Sequence, residues 1–211
     1  LTEAPPNSVA VLPFLNLSPQ EETGFFAEGV SEEILNGLAQ VRSLRVASRT
    51  SSFSLRGQAL DIREISQLLN VRHLVEGSVR RAGDSLRVTA QLVHAEDGYQ
   101  LWSRTFDGTL ADVFGFQNDI AEGVARALGE VLEEPGLGPQ ARTAGMTSNP
   151  EAYDRYLLAR QIWRQRQEEP IRRSIELLRE AVALDPAFAS AWSALASANL
   201  TLPAYTQDPG E

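Results

Sequence analysis

The feature that most restricts how this chain can fold is a regular alternation of apolar and polar residues between positions 86 and 92. The alternating sets are Leu86, Val88, Ala90 and Leu92 on one side and Arg87, Thr89 and Gln91 on the other. Because successive side chains of a β-strand point to opposite faces, this pattern predicts a strand with one face on a core and one in water. We therefore expect a sheet in this part of the chain.

Turn-forming residues lie on both sides of this strand. A Gly-Asp pair at 83–84 precedes it and an Asp-Gly pair at 97–98 follows it, and such residues supply the positive φ angles that tight hairpins require. Further strands are predicted near residues 73–80 and 100–106. The sequence thus predicts three consecutive antiparallel strands.

The first forty residues predict a buried strand followed by a helix. Residues 9–12 form an apolar run stopped by Pro13, which is typical of a strand buried on both faces, and a loop is expected around Asn16. Apolar residues then recur every four positions over 24–40, which predicts an amphipathic helix. Ser31 is a candidate cap for the main section of that helix.

A second strand and a second helix are predicted before the hairpins. Apolar residues alternate with Arg45 over residues 44–46, which predicts a short strand, and residues 50–52 with Gly57 predict a loop. Asp61 is the predicted N-cap of a shorter helix.

A long one-sided helix is predicted after the hairpins. Thr109 and Asp112 form a capping-box pattern, and apolar residues recur every three or four positions as far as Val131. The element order is then β-α-β-α-β-β-β-α. This order predicts an α/β (α+β) domain with a mixed five-stranded sheet and about three helices.

The sequence changes character after this helix. Gly136 and Gly138 follow a helix and do not join a strand to one, so we interpret them as a stop signal and not as a phosphate-binding loop. We predict an α/β domain over residues 1–135, a linker over 136–148 and a helical region over 149–211.

Two prolines in the helical region lie at equivalent places of a repeated pattern. They are Pro150 and Pro186, 36 residues apart. A helix pair of roughly 34 residues ending in proline is the signature of tetratricopeptide repeats, which this region resembles. The residues that match the repeat are Ser174, Leu178, Ala181, Pro186, Trp192, Leu195 and Ala196. We expect one full repeat and the start of a second, with further repeats in a longer protein.

This resemblance implies a binding surface. In tetratricopeptide proteins the first helix of each pair lines a concave groove that binds a protein or peptide. The groove positions implied here are Asp154, Leu157, Gln161, Arg164, Ser190, Ser193 and Ser197.

Several segments of the first domain match a known family in order and spacing. They are residues 8–14, 25–30, 33–35, 44–46, 49–53, 75–80, 87–92 and 101–102. The domain resembles the TolB-like amino-terminal domain found beside tetratricopeptide arrays in bacterial signalling proteins. In relatives these domains tend to follow a transmembrane helix, beyond which lies an adenylate cyclase, winged-helix or kinase output domain. The resemblance implies a non-catalytic sensory or scaffolding module on the periplasmic side of the inner membrane, with a cytoplasmic location as the alternative.

The composition of the chain limits the kinds of partner that it is expected to bind. The net charge is −9, so the chain as a whole would repel the phosphates of a nucleic acid. Attraction to phosphate supplies most non-specific nucleic-acid affinity, and we therefore expect no nucleic-acid partner. There is no apolar run long enough to cross a bilayer, so membrane attachment is expected only through a segment outside this sequence. A chain that begins at Leu1 is itself expected to be a piece of a longer protein.

Little in the sequence predicts catalysis. The chain has no cysteine, and His73 and His94 are its two histidines, without the spacing of a metal site. Carboxylates at Asp107, Asp112 and Asp119 could gather near one helix start, although capping accounts for part of this set. We therefore expect no catalytic residue, no metal and no cofactor.

Three functions stay open at this point. The first is a protein- or peptide-binding sensory or scaffolding module, the second a structural envelope scaffold without a signalling role, and the third a hydrolase whose site is assembled by folding. A protein or peptide partner is expected in the first, and a homodimer stays open.

Overall fold

The structure, a computed structural model, describes residues 3–18, 24–131, 147 and 149–206. The chain divides into two compact units, residues 1–142 and 143–211. Apart from Thr147, the predicted linker over 136–148 lies outside the described residues. Each unit is described by itself.

The first unit is built on a mixed sheet. Its strands are β1 Ser8–Val11, β2 Leu15–Asn16, β3 Arg45–Val46, β4 His73–Ala82, β5 Ser85–His94 and β6 Gln100–Thr109. The order is β3-β1-β4-β5-β6, and β2 also pairs with β4. Pairs among β1, β2, β3 and β4 are parallel, whereas β4–β5 and β5–β6 are antiparallel. The mixed sheet and the three antiparallel strands are confirmed.

Tight turns form at the glycines where the sequence predicts them. Ala82 pairs with Ser85, which leaves a two-residue turn in which Gly83 has a φ of 59°. Gly98 adopts a φ of 76° in the next turn. Positive φ is favourable for glycine because it has no Cβ, so these residues fix the lengths of both hairpins.

Four α-helices occur in the described part of the first unit, where the sequence predicts about three. They are α1 Gly24–Ala39, α2 Arg49–Phe53, α3 Ile62–Leu69 and α4 Val113–Val131, and a 3-10 turn at Leu110–Asp112 leads into α4. The predicted caps at Asp61 and at Thr109 with Asp112 are confirmed as capping boxes.

Both faces of the sheet carry helices. One buried cluster combines Ala10, Val71, Leu74 and Ala95 with apolar residues of α3. On the other side α1 packs against α4 and β1, and α4 packs against β5 and β6. A Cβ on Gly123 of α4 would lie only 2.6 Å from the Trp102 ring, so this glycine permits the close approach.

Three local predictions are wrong. The loop expected at residues 50–52 is part of α2, because the Ser48 side chain accepts a hydrogen bond from the Ser51 amide and caps a short helix. The loop expected around Asn16 contains β2, which pairs with β4. Ser31 is not a cap: it lies inside α1, where its hydroxyl donates to the Ala27 carbonyl at 2.8 Å.

The second unit is helical. It contains α5 Pro150–Trp163, α6 Glu168–Leu184, α7 Ala189–Thr201 and α8 Pro203–Thr206. Asn149 caps α5 by accepting hydrogen bonds from the amides of Glu151 and Ala152, and Pro150 occupies the first turn, where no amide donor is needed. Because a short turn joins α5 to α6, the two helices form a packed hairpin, against which α7 also packs.

Buried side chains from these three helices form the core of the second unit. The largest are Tyr153, Ile171, Leu178 and Phe188. Among the helices that the structure describes, none is both long and apolar enough to cross a membrane.

Candidate functional site

A cavity of about 310 Å³ opens between α5, α6 and α7. Helix α5 contributes residues at a spacing of four and three, which lie on one helical face. Helix α6 forms the floor, and α7 contributes four small residues from one face. The lining residues are Tyr156, Arg160 and Trp163 of α5, Ser174 and Leu178 of α6, and Ser190, Ser193, Ala194 and Ser197 of α7.

Three of the seven expected groove residues line this cavity, namely Ser190, Ser193 and Ser197. Of the four others, three lie on α5, and Arg164 follows that helix as its C-cap. Asp154, Gln161 and Arg164 are half-buried, and Leu157 is only 4% exposed, so its side chain packs inside the unit. The structure therefore brings together the α7 members of the expected set and adds a different face of α5.

Sequence reasoning missed the α5 contribution. Tyr156, Arg160 and Trp163 fall at positions i, i+4 and i+7, a spacing that places them on one face of the helix, and none of them is among the expected groove residues. The presence of Arg160 on that otherwise aromatic face was the available signal, because a charged residue is seldom placed at a purely packing position.

Arg160 gives the cavity its one charged lining group. Its Nη1 donates a hydrogen bond of 3.0 Å to the Tyr156 hydroxyl, and its guanidinium carbon lies 5.3 Å from the centroid of that ring. This arrangement holds a positive charge beside an aromatic face and several hydroxyl groups. Hydrogen-bonding groups of a ligand would be favoured here.

Ser174 lies at the floor of the cavity. It is fully buried, and its hydroxyl oxygen has no hydrogen-bond partner among the described residues. A buried hydroxyl without a partner costs free energy, so a ligand group that reached it would gain from satisfying it.

Trp163 closes one end of the cavity. Its indole Nε1 donates to the Thr201 hydroxyl of α7 at 3.1 Å, and the Arg166 guanidinium lies 4.0 Å from the ring centroid. These contacts hold the indole in place between α5 and α7.

The two histidines, which the sequence shows far apart, are cross-strand partners. His73 on β4 pairs in register with His94 on β5, and their ring centroids lie 5.5 Å apart. His73 is 1% exposed, and its Nδ1 lies 3.2 Å from the Ser8 carbonyl oxygen. His94 Nδ1 lies 3.0 Å from an Asp97 carboxylate oxygen.

Burial lowers the pKa of His73 to about 4, because desolvation disfavours the charged imidazolium. The hydrogen bond to Ser8 opposes this shift, whereas the positive charges of His94 and Arg72 add to it. His73 is therefore neutral at physiological pH.

The three carboxylates considered in the sequence do not form a common site. Asp107 pairs with Arg87, Asp112 accepts hydrogen bonds from the Thr109 amide and hydroxyl, and Asp119 is exposed. These hydrogen bonds lower the pKa of Asp112. Within the described ranges, no group of three or more histidine and carboxylate side chains is placed to share a metal ion.

The chain is similar to one curated protein along nearly its whole length. It is 36% identical over 194 residues, 92% of the chain, to a Rhizobium meliloti (strain 1021) protein named "Putative adenylate cyclase 3". The chain spans 33% of the length of that relative. No family model matches the sequence.

Three solved structures are similar to parts of this chain. TolB from Acinetobacter baumannii has a TM-score of 0.44 at 15% identity, over 61% of this chain and 30% of that one. Lipoprotein GNA1162 from Neisseria meningitidis has a TM-score of 0.42 at 20% identity, over 49% and 80%. The LpoB C-terminal domain from Salmonella enterica has a TM-score of 0.40 at 14% identity, over 50% and 84%. Such low scores carry no information on function.

Proposed function

We propose that this chain is a non-catalytic module that binds a protein or peptide within a membrane-anchored bacterial signalling protein of the adenylate cyclase type. The relative named as an adenylate cyclase supports the signalling context, because the similarity extends over 92% of this chain. The chain spans one third of that relative, so we assign the catalytic output to sequence beyond this module.

The observation that carries the binding role is the cavity between α5, α6 and α7. It combines a guanidinium, two aromatic rings and several hydroxyls in a concave site of about 310 Å³. Concave sites with an apolar lining and a few polar groups are the usual form of ligand pockets. We propose that a partner segment with a hydrogen-bonding side chain binds here.

We further propose that the second unit is a tetratricopeptide segment and the first a TolB-like domain. The helical hairpin from α5 to α6, the following helix α7 and the spacing of Pro150 and Pro186 support the first assignment. The sequence segments that resemble the TolB-like domain support the second. With this pair of domains we propose a location on the periplasmic side of the inner membrane.

Site-specific cross-linking in the full-length protein tests the binding role. A photoreactive amino acid would replace Ser193, which lines the cavity, and in a matched control it would replace Glu176, an exposed residue of α6 that pairs with Arg173. We expect Ser193 to cross-link one discrete protein in the native bacterium, and Arg160→Ala to weaken that product. The same products from both positions would contradict the binding role.

Cyclic AMP formation by the full-length protein tests the signalling role. Ser193→Trp fills the cavity and is expected to change the cyclic AMP level, whereas Glu176→Trp is expected to leave it unchanged. A cross-link to an envelope protein combined with unchanged cyclic AMP in both variants would instead support a structural scaffold.

A further inference from the structure

A second cavity, of about 360 Å³, lies in the first unit at the carboxyl end of β1. The segment after β1 forms one wall through Leu12, Phe14 and Leu15, and Leu55 and Ile65 form the other. Residues of α1 and α2 complete it. We call this cavity the β1 cleft. Ligands of α/β proteins commonly bind outside the carboxyl ends of parallel strands, and β1 is parallel to both of its neighbours.

Ser52 of α2 is one of the residues that line the β1 cleft, and its side chain is buried without a hydrogen-bond partner in the part of the chain that the structure describes. The residue is fully buried, and its Oγ has no hydrogen-bond partner among the described residues. Its backbone amide, by contrast, donates to the Ser48 carbonyl at 3.0 Å. The amide of Ser52 therefore has a partner within the chain, whereas its hydroxyl has none among the described residues.

Ser31 is equally buried, but its hydroxyl has hydrogen-bond partners within the chain. Its hydroxyl donates to the Ala27 carbonyl and accepts from the Phe14 amide, both at 2.8 Å. Ser52 has neither kind of contact. Buried hydroxyl groups in folded proteins nearly always have a hydrogen-bond partner. A ligand bound in the β1 cleft would supply a partner for Ser52 and would also fill the cavity beside it.

The charged side chains at the β1 cleft form ion pairs with one another, so their charges cancel. Glu28 lines it and pairs with both Arg49 and Arg56, and Arg49 also pairs with Glu32 at 2.9 Å. Two carboxylates thus face two guanidinium groups. Because no net charge is offered to a ligand, a neutral molecule fits better than an ion.

We propose that the β1 cleft binds a small neutral molecule with an apolar body and one hydroxyl or carbonyl group, which hydrogen-bonds to Ser52. The volume lies in the range of small-molecule sites, and the aliphatic and aromatic walls match an apolar body. The site is independent of the cavity between α5, α6 and α7. The module would then bind a small molecule in addition to its protein or peptide partner.

Benzyl alcohol and toluene are matched probes because they differ by one hydroxyl. Each would be titrated into the purified chain while amide chemical shifts are recorded by NMR. We expect shifts at the residues that line the β1 cleft and about 3- to 10-fold tighter binding of the alcohol, the usual effect of one neutral hydrogen bond. Ser52→Ala should abolish that preference and leave toluene binding unchanged.

A blocking variant tests the place of binding. A Cβ on Gly24 would meet nothing within 4 Å, so Gly24→Leu extends a side chain into the β1 cleft without displacing the backbone. Gly115 in α4 is equally open and lies outside this cavity, which makes Gly115→Leu the matched control. We expect Gly24→Leu to remove binding of both probes and Gly115→Leu to preserve it.

Three results would overturn the proposal. The first is no shift at the lining residues up to the solubility limit of either probe. The second is an alcohol preference that survives Ser52→Ala. The third combines two observations: neither probe binds the wild type, and Gly24→Leu loses the cross-link to a partner protein. The β1 cleft would then hold an apolar side chain of that partner and not a small molecule.

Discussion

His73 and His94 lie opposite each other on β4 and β5, with their ring centroids 5.5 Å apart. Only His73 is buried, and its pKa is lowered to about 4. Two imidazoles so close together cannot both become charged without repulsion, and the buried ring also loses its hydration when charged.

This pair predicts a loss of stability in mild acid. The folded-state pKa of His73 is about 4 and its ordinary value is 6.5, so the unfolded chain binds the proton first. The stabilising effect is complete above pH 6.5 and is lost as the pH falls towards 4. At about 1.4 kcal/mol per pKa unit, the loss in the free energy of unfolding is about 3 kcal/mol.

Denaturant unfolding of the wild type and of His73→Phe between pH 7.5 and about pH 4 measures this effect. Phenylalanine cannot titrate, so the variant is expected to lose less stability over the window. Equal pH dependence in the two proteins would mean that His73 does not control it.

The contact between Gly123 and Trp102 predicts a steric limit on α4. A Cβ on Gly123 would lie 2.6 Å from the indole, so Gly123→Ala should lower the free energy of unfolding by ~1 kcal/mol or more, despite the higher helix propensity of alanine. Gly115→Ala, where a Cβ meets nothing, is expected to raise it by about 1 kcal/mol. Chemical denaturation compares the two, and equal effects would contradict the close approach.

Two buried serines should respond differently to alanine. Ser31→Ala leaves the Phe14 amide without its partner and should cost about 1–3 kcal/mol of unfolding free energy. Ser174→Ala removes a hydroxyl without a hydrogen-bond partner among the described residues and should leave stability unchanged or higher. Thermal and denaturant unfolding would measure both, and a large loss for Ser174→Ala would show that its hydroxyl is satisfied in solution.

The cap of α5 predicts a local effect in the second unit. Asn149 accepts hydrogen bonds from the amides of Glu151 and Ala152 at 3.0 and 3.1 Å, so Asn149→Ala should destabilise that helix by about 1 kcal/mol. Hydrogen exchange should speed up in α5. Asp61→Ala is the matched cap variant in the first unit and should speed up exchange in α3. Faster exchange of α3 in Asn149→Ala would contradict a local effect.

Local sequence patterns were enough to predict the elements whose signals lie within a few residues of each other. Alternation over residues 86–92 predicted β5, the glycines at 83 and 98 predicted the turns beside it, and Asp61 predicted the start of α3. Side-chain periodicity and capping are local, so they can be recognised without knowledge of the fold.

Contacts between residues that are far apart in the sequence became visible in the folded structure. Leu15 and Asn16 form a strand because β4 offers them partners more than sixty residues away, and His73 meets His94 only through the register of β4 and β5. Whether the hydroxyl of a buried serine finds a partner likewise depends on packing, as Ser31 and Ser52 show. Burial, and the pairing of strands that are far apart in the sequence, are set by contacts between distant segments, and no local pattern encodes them.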